Sequence, residues 1–303
     1  MAIAILLVAG AKAQTKGAHD AFVLGAAPAA SKPEWTLAPL NKRLANPSPA
    51  RIQTIIQKFT ANERTFMQLL AHNYTYTESI LVQQMDDYSN PTGSFQQTNS
   101  IVYTPGSGRQ IVCTYCPQPT LTNFGLDEGD LTDMFNMNMY TFPVDKMAEY
   151  NVTYLDHQPV GEITAYVFRI QPKKIVKGNR YFNGIAFVDD ATLGIVKSIG
   201  RVVPNQYDKH GNPTHIYLPF TVWRKQIDGK YWFPVYERME GKLNFGQGEA
   251  PIPMREVIQF TNYKRFGASS RILSVQAVPQ KQKQPDKTKK KNGGGSGGGG
   301  NRN

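Results

Sequence analysis

Residues 180–200, RYFNGIAFVDDATLGIVKSIG, read as strand, turn, strand. Aromatic and branched residues run up to Val188, two adjacent carboxylates follow, and an apolar run resumes at Leu193. If Val188 pairs with Leu193, residues 189–192 form the loop, where Asp is favoured because its carboxylate accepts nearby backbone N–H groups. Paired carboxylates can also work as acid and base, but only where the surroundings separate their pKa values and a pocket holds substrate. At a hairpin tip, Asp189 and Asp190 are expected to turn the chain. Under this pairing Phe182, Ala186, Val188, Leu193, Ile195 and Ile199 share one face, and Ile185, Phe187 and Val196 share the other. A sheet with one wet face alternates more cleanly, so core, helix or ligand covers the second face.

Upstream of the hairpin the period changes. Ser48 is placed to cap a helix with Pro49 at its first position, and Ile52, Ile55, Ile56, Phe59, Phe66, Leu69 and Leu70 follow on one stripe. Thr60 and Glu63 have capping-box spacing, which allows a break into two helices there. From Tyr74 onward, nine segments rich in β-branched and aromatic residues read as strands separated by Gly, Pro, Asn and Asp. Asp228-Gly229, between VWRKQI and KYWFPV, is the strongest hairpin signal. Helical patches are expected between Asp127 and Met139 and between Val144 and Tyr150. The fold class is therefore α+β: a large curved antiparallel sheet, an incomplete β-barrel, with an N-terminal amphipathic helix packed over its hollow. A sheet of this size curls or closes to manage its edges.

The two ends of the chain differ from this middle. An apolar run from Ala2 to Ala9 precedes Ala11, Lys12 and Ala13, which reads as a signal peptide over residues 1–13 cut before Gln14. Residues 14–47, rich in Ala, Pro and Lys, read as a flexible leader; residues 48–279 as the folded domain; residues 280–303 as a disordered Lys- and Gly-rich tail. The net charge of +11 raises nucleic acid as a partner until it is located. Seven basic residues of the tail stand against Asp286 alone, so six of the eleven net charges lie there and +5 remains on residues 1–279. That residue lacks the dense basic stripe that phosphate backbones require, and nucleic acid is excluded as a partner. The tail reads either as a weak contact for an anionic membrane surface or as a solvated run.

The search for chemistry returns little. Cys113 and Cys116, the only cysteines, are a disulfide candidate in an exported chain. A redox role needs this spacing at a helix start within alternating strands and helices, and a structural zinc needs four ligands. His210 and His215, with Asp208, match no ligand spacing. There is no Gly-x-Ser-x-Gly elbow, His-Glu-x-x-His, P-loop or dinucleotide fingerprint. No catalytic residue, metal or cofactor is assigned, and the chain is not read as an enzyme. Trp223, Tyr231, Trp232, Phe233 and Tyr236 cluster around the Asp228 hairpin as core.

An exported chain with an amphipathic helix feeding NYTYTESI, the hairpin YFNGIAFVDDATLGIVKSIG, and the strand GKYWFPVYERMEG resembles the LolA-like outer-membrane lipoprotein-sorting and lipoprotein-carrier superfamily. The resemblance spans roughly Pro49 to Phe266. It implies an incomplete barrel around an apolar cavity that takes up acyl chains, in a periplasmic, non-enzymatic carrier or sensor. The implied partners are an acylated lipid or lipoprotein client and envelope membrane proteins that load or receive it. Candidate lining residues are Phe66, Leu69 and Leu70 on the helix and Phe182, Ile185, Phe187, Ile195, Phe220, Val222 and Trp232 on the strands. The alternative is an envelope protein-binding module, a regulator or scaffold, with a filled core and no lipid.

Overall fold

A computed structural model of the chain describes residues 44–104, 108–135, 144–246, 248 and 250–266. The expected signal peptide, nearly all of the leader and the basic tail lie outside them. Helix α1 spans Pro49–Asn73, with the Ser48 hydroxyl accepting from the Arg51 amide at 3.3 Å and Pro at its start. It is continuous through Thr60 and Glu63, where the capping-box spacing allowed a break. Thr60 does not cap; its hydroxyl donates back to the Ile56 carbonyl at 2.7 Å, and Glu63 turns inward. Among the described residues no helix is long and apolar enough to cross a membrane.

Tyr74 is extended and opens β1 (Tyr74–Met85) without a loop. There follow β2 (Pro91–Thr104), β3 (Gly108–Tyr115), α2 (Glu128–Phe135), a 3₁₀ turn (Val144–Glu149), β4 (Tyr150–Val160), β5 (Ile163–Pro172), β6 (Tyr181–Asp189), β7 (Ile195–Val203), β8 (Gln206–Tyr207), β9 (Pro213–His215), β10 (Phe220–Ile227), β11 (Tyr231–Leu243) and β12 (Ile252–Arg265). Ten strands form one antiparallel sheet in the order β3-β2-β1-β12-β11-β10-β7-β6-β5-β4, and β8 pairs with β9 separately. The sheet is open at β3 and β4, as an incomplete barrel is. Asp228 and Gly229 both take positive φ, which a two-residue hairpin turn between β10 and β11 requires.

Strand β4 is absent from the sequence reading. A bulge between Tyr154 and Asp156 breaks its alternation, and Pro159 sits near its end, which an edge strand tolerates. Its outer edge is partly covered. The Leu44 amide donates to the His157 carbonyl at 2.7 Å, and Tyr154 donates to Asn46 Oδ1 at 2.8 Å.

The β6-β7 hairpin departs from the expected pairing. Val188 faces Ile195, with a bulge between Phe187 and Val188, and the Asp189 amide donates to the Gly194 carbonyl. Ile199 therefore pairs with Ile185 on the outer face and not with Phe182 on the inner one. Leu193 closes the turn at φ 56° and buries its side chain. The carboxylates brace this turn. Asp189 accepts from the amide and hydroxyl of Thr192, while Asp190 bonds His157 Nε2 at 2.9 Å and the Thr164 hydroxyl at 2.5 Å.

Both faces are apolar, for different reasons. On the inner face Ile55, Phe59, Phe66 and Leu70 of α1 pack with Ile80, Phe168, Val188, Phe220, Phe233 and Ile258 of the sheet as the principal core. On the outer face Ala165, Val167, Ile185, Phe187, Val196 and Ile199 close on one another with Trp232 against them, and Lys197 Nζ lies 5.6 Å from the Phe187 ring centre. The inner approach of β6 to β7 depends on glycine. A Cβ at Gly184 would lie 2.2 Å from the Ile199 carbonyl oxygen and 2.6 Å from the Phe182 ring. Backbone cannot yield cheaply, so Gly184→Ala is expected to destabilise the fold by about 1–3 kcal/mol. A denaturation midpoint equal to that of the parent protein would show that the strands separate freely.

Candidate functional site

The larger cavity, about 580 Å³, is lined by no residue of α1, although Met239, Leu243 and Met254 on its floor belong to the principal core. Its floor is the inner face of β11 and β12. Met239 faces Glu256 across that pair, Gly241 faces Met254, and Leu243 continues the row. Its walls lie outside the ten-stranded sheet. Residues 123–127, the first turns of α2 and the segment Thr214–Tyr217 close over the floor and add Phe124, Leu126, Met134, Ile216 and Phe245.

The roof is tied at several points. Buried Gln84 of β1 accepts from the Asn123 amide at 2.9 Å and donates to the Thr92 hydroxyl at 3.0 Å. Helix α2 starts with a reciprocal cap: the Asp130 amide donates to Asp127 Oδ1 at 2.8 Å, and the Asp127 amide donates to Asp130 Oδ2 at 3.0 Å. Further along α2, Arg180 grips Asp133 through both guanidinium nitrogens, and this pairing raises the arginine's pKa. His215 Nε2 lies 3.3 Å from Asp127 Oδ2. Asp127, Asp130 and His215 bring one ligand atom each within 4.8 Å of the others, a proximity that the helix cap already accounts for.

The electrostatics of this end are acidic. The Asp130 amide, chief among its causes, holds Asp127 below the ordinary carboxylate range. Burial pushes Asp130 up despite the bond from the Asp127 amide. Glu256, only 3% exposed, lines the floor, and its charge adds to the burial that pushes Glu78 of β1 up to about 8.

A smaller cavity of about 260 Å³ lies between α1 and the β6-β7 and β10-β11 turns. Its wall carries a buried ion pair: Arg224 Nη1 and Nη2 each donate to a carboxylate oxygen of Glu63 at 2.7 Å. Arg224 also lies over the Phe66 ring, 4.9 Å from its centre.

Of the ten lining candidates, Phe66, Leu70, Phe182, Ile195, Phe220 and Val222 belong to the principal core, and Leu69 packs half-buried against it. Ile185 and Phe187 lie on the outer face, with Trp232 packed against them at the hairpin end. Phe66, Ile195 and Trp232 line the smaller cavity. The larger cavity is lined by none of the ten. Its lining was overlooked because much of it comes from segments without period; apolar Phe124 and Leu126 in the connection after β3 were the available signal. Cys113 and Cys116 are joined as a disulfide at the end of β3, away from both cavities. Asp208 caps its own loop, accepting from the His210 amide at 2.7 Å and the Asn212 amide at 2.9 Å.

Fold and site together define an open antiparallel sheet whose inner face carries a helix-packed core and an apolar hollow roofed by loops. Solved structures similar to the chain include an outer membrane lipoprotein-sorting protein domain from Vibrio parahaemolyticus, 13% identical, with a TM-score of 0.33 and 71% of this chain and 95% of that one covered. A LolA superfamily protein from Nitrosomonas europaea is 15% identical, with a TM-score of 0.32 and coverage of 70% and 92%. MucB is 10% identical, with a TM-score of 0.24 and coverage of 72% and 95%. No family model and no curated protein matches the chain.

Proposed function

We propose that the protein is a non-enzymatic carrier or sensor of the periplasm that takes the acyl chains of a lipid or lipoprotein into the larger hollow. The observation that carries this reading is the lining. Met239, Leu243, Met254, Phe124 and Leu126 converge on a space within the range of roughly 300–1,000 Å³ that ligand sites occupy. Methionine adapts its shape to an irregular chain. Each methylene removed from water contributes about 0.8 kcal/mol, so affinity rises with chain length.

Mass spectrometry of an organic extract of the protein, purified from the cell envelope without detergent, is expected to find acyl lipid or lipoprotein at a stoichiometric level. Met239→Trp, which fills the floor, is expected to remove that ligand from a protein that still unfolds cooperatively, with some loss of stability because Met239 is buried in the core. Undiminished lipid in a folded Met239→Trp protein would reject the hollow as the site. The protein-binding alternative has its own support in edge strand β3, where Val112 and Tyr115 are about half exposed. A clean, folded and empty preparation would favour it.

A further inference from the structure

We propose that His157 is a pH-released clasp that holds the segment before α1 against strand β4. The ring lies between two groups that only accept hydrogen bonds. Its Nδ1 is 3.1 Å from the Ala45 carbonyl oxygen, and its Nε2 is 2.9 Å from Asp190 Oδ2. Burial raises the pKa of Asp190, but the bonds from Thr164 and His157 and the charge of His157 outweigh it, so near neutral pH this carboxylate has no proton to give. A neutral imidazole carries a single N–H and serves only one of these partners. Both contacts together require the imidazolium. His157 lines neither the larger nor the smaller cavity.

The loss of a proton has a direction. A bond to a carboxylate is stronger than one to a carbonyl, so the neutral ring keeps its proton on Nε2. Nδ1 then turns a lone pair toward the Ala45 oxygen, and an attraction becomes a repulsion. The side chain is only 13% exposed, so water is a poor substitute. Around it, Asp156 of the same strand accepts the His157 amide, the Tyr166 ring of β5 lies 4.4 Å away, and α1 reaches the Asp190 turn through neutral Asn62. Residues 44–48 carry no ionisable side chain. The bonds from the Leu44 amide to the His157 carbonyl and from Tyr154 to Asn46 are left to hold the segment. Strand β4 ends the sheet, so the proton on His157 sets how firmly this edge is covered.

The test is hydrogen exchange of the full chain at about pH 5.5 and about pH 8.5, either side of the range in which histidine changes charge, with each rate corrected for the intrinsic effect of pH on exchange. Protection of the Leu44 amide is expected to fall about tenfold or more at the higher pH, as for the loss of a hydrogen bond to a charged group. Asp190→Asn is the decisive variant. Its amide can donate to Nε2, which lets a neutral ring keep Nδ1–H on Ala45, while its oxygen still accepts from Thr164. Protection in this variant is expected to hold at both pH values. Nitrogen NMR spectra of the imidazoles, with His157 assigned by its loss in His157→Gln, are expected to show both ring nitrogens protonated at the lower pH and Nε2 alone at the higher. Equal protection of the parent Leu44 amide at the two pH values would overturn the clasp, and so would a His157 ring that is neutral at the lower pH. A loss in Asp190→Asn as large as that in the parent would trace the change to another group and overturn it as well.

Discussion

Glu63→Ala is expected to lower the stability of the fold by about 3–5 kcal/mol, because it strands a guanidinium in the core. Arg224 and Glu63 are almost wholly buried, with side-chain exposures of 1% and 2%, and they meet through two parallel bonds of 2.7 Å. Arg224 projects from β10 and Glu63 from the middle of α1, so the pair joins the helix to the centre of the sheet. Arg224 Nε has no hydrogen-bond partner among the described residues, so the remaining bonds all depend on the one carboxylate. Removing it leaves a charge with neither water nor counter-ion. The pair need not stabilise the fold relative to a dry contact, since two charges have lost their hydration to form it. The double variant Glu63→Leu with Arg224→Met is therefore expected to recover most of the loss. Chemical denaturation of the parent, the single variant and the double variant decides the matter. A Glu63→Ala protein within about 1 kcal/mol of the parent, the range of a surface pair, would show that water reaches Arg224.

The same residue marks where sequence reading reached its limit. The stripe of α1 and its cap at Ser48 follow from local chemistry, and so does the Asp228-Gly229 turn, where the side chains fix the backbone within a few residues. All nine strand segments are present because each carries its own alternation. Glu63, in contrast, has the spacing of a cap after Thr60, and only its partner 161 residues away makes it a buried anchor. The bulges at Phe187/Val188 and at Tyr154/Asp156 each shift a face by one residue, and nothing local announces them. That is why Ile199 was assigned to the wrong side and β4 was passed over. The hollow was legible as a class of feature but not as a place. Alternation shows which residues avoid water, yet it does not separate those packed within the core, such as Phe220, from those that also line a cavity, such as its cross-strand neighbour Met239.

The second large effect is a dependence of stability on pH set by Glu78. Glu78 is fully buried on the inner face of β1, and Asn99 of β2 donates to its Oε2 at 3.1 Å. Burial dominates its titration and moves its pKa from 4.5 to about 8, against the opposing effects of Asn99 and of Arg109 on β3, and with Glu256 of β12 adding repulsion. Below pH 4.5 both folded and unfolded chains hold this proton, and Glu78 leaves stability unchanged. Between pH 4.5 and about 8 the folded chain keeps a proton that the unfolded chain has released. Stability then falls as pH rises, by up to about 1.4 kcal/mol per pH unit, and levels off above the folded pKa. The lowered carboxylates, Asp86, Asp127, Asp190, Asp208 and Glu240, act in a separate window, where stability is lost as pH falls through their range. Glu78→Gln keeps the shape and the acceptor for Asn99 but carries no titration. Its stability is expected to stay level relative to the parent's decline, so that the gap between the two widens steadily from pH 4.5 to about 8. Denaturation midpoints of both proteins across that interval provide the comparison, in which the shared titrations of other groups cancel. Parallel profiles would mean that Glu78 ionises freely in the folded chain, and that the inner face of β1 is open to water.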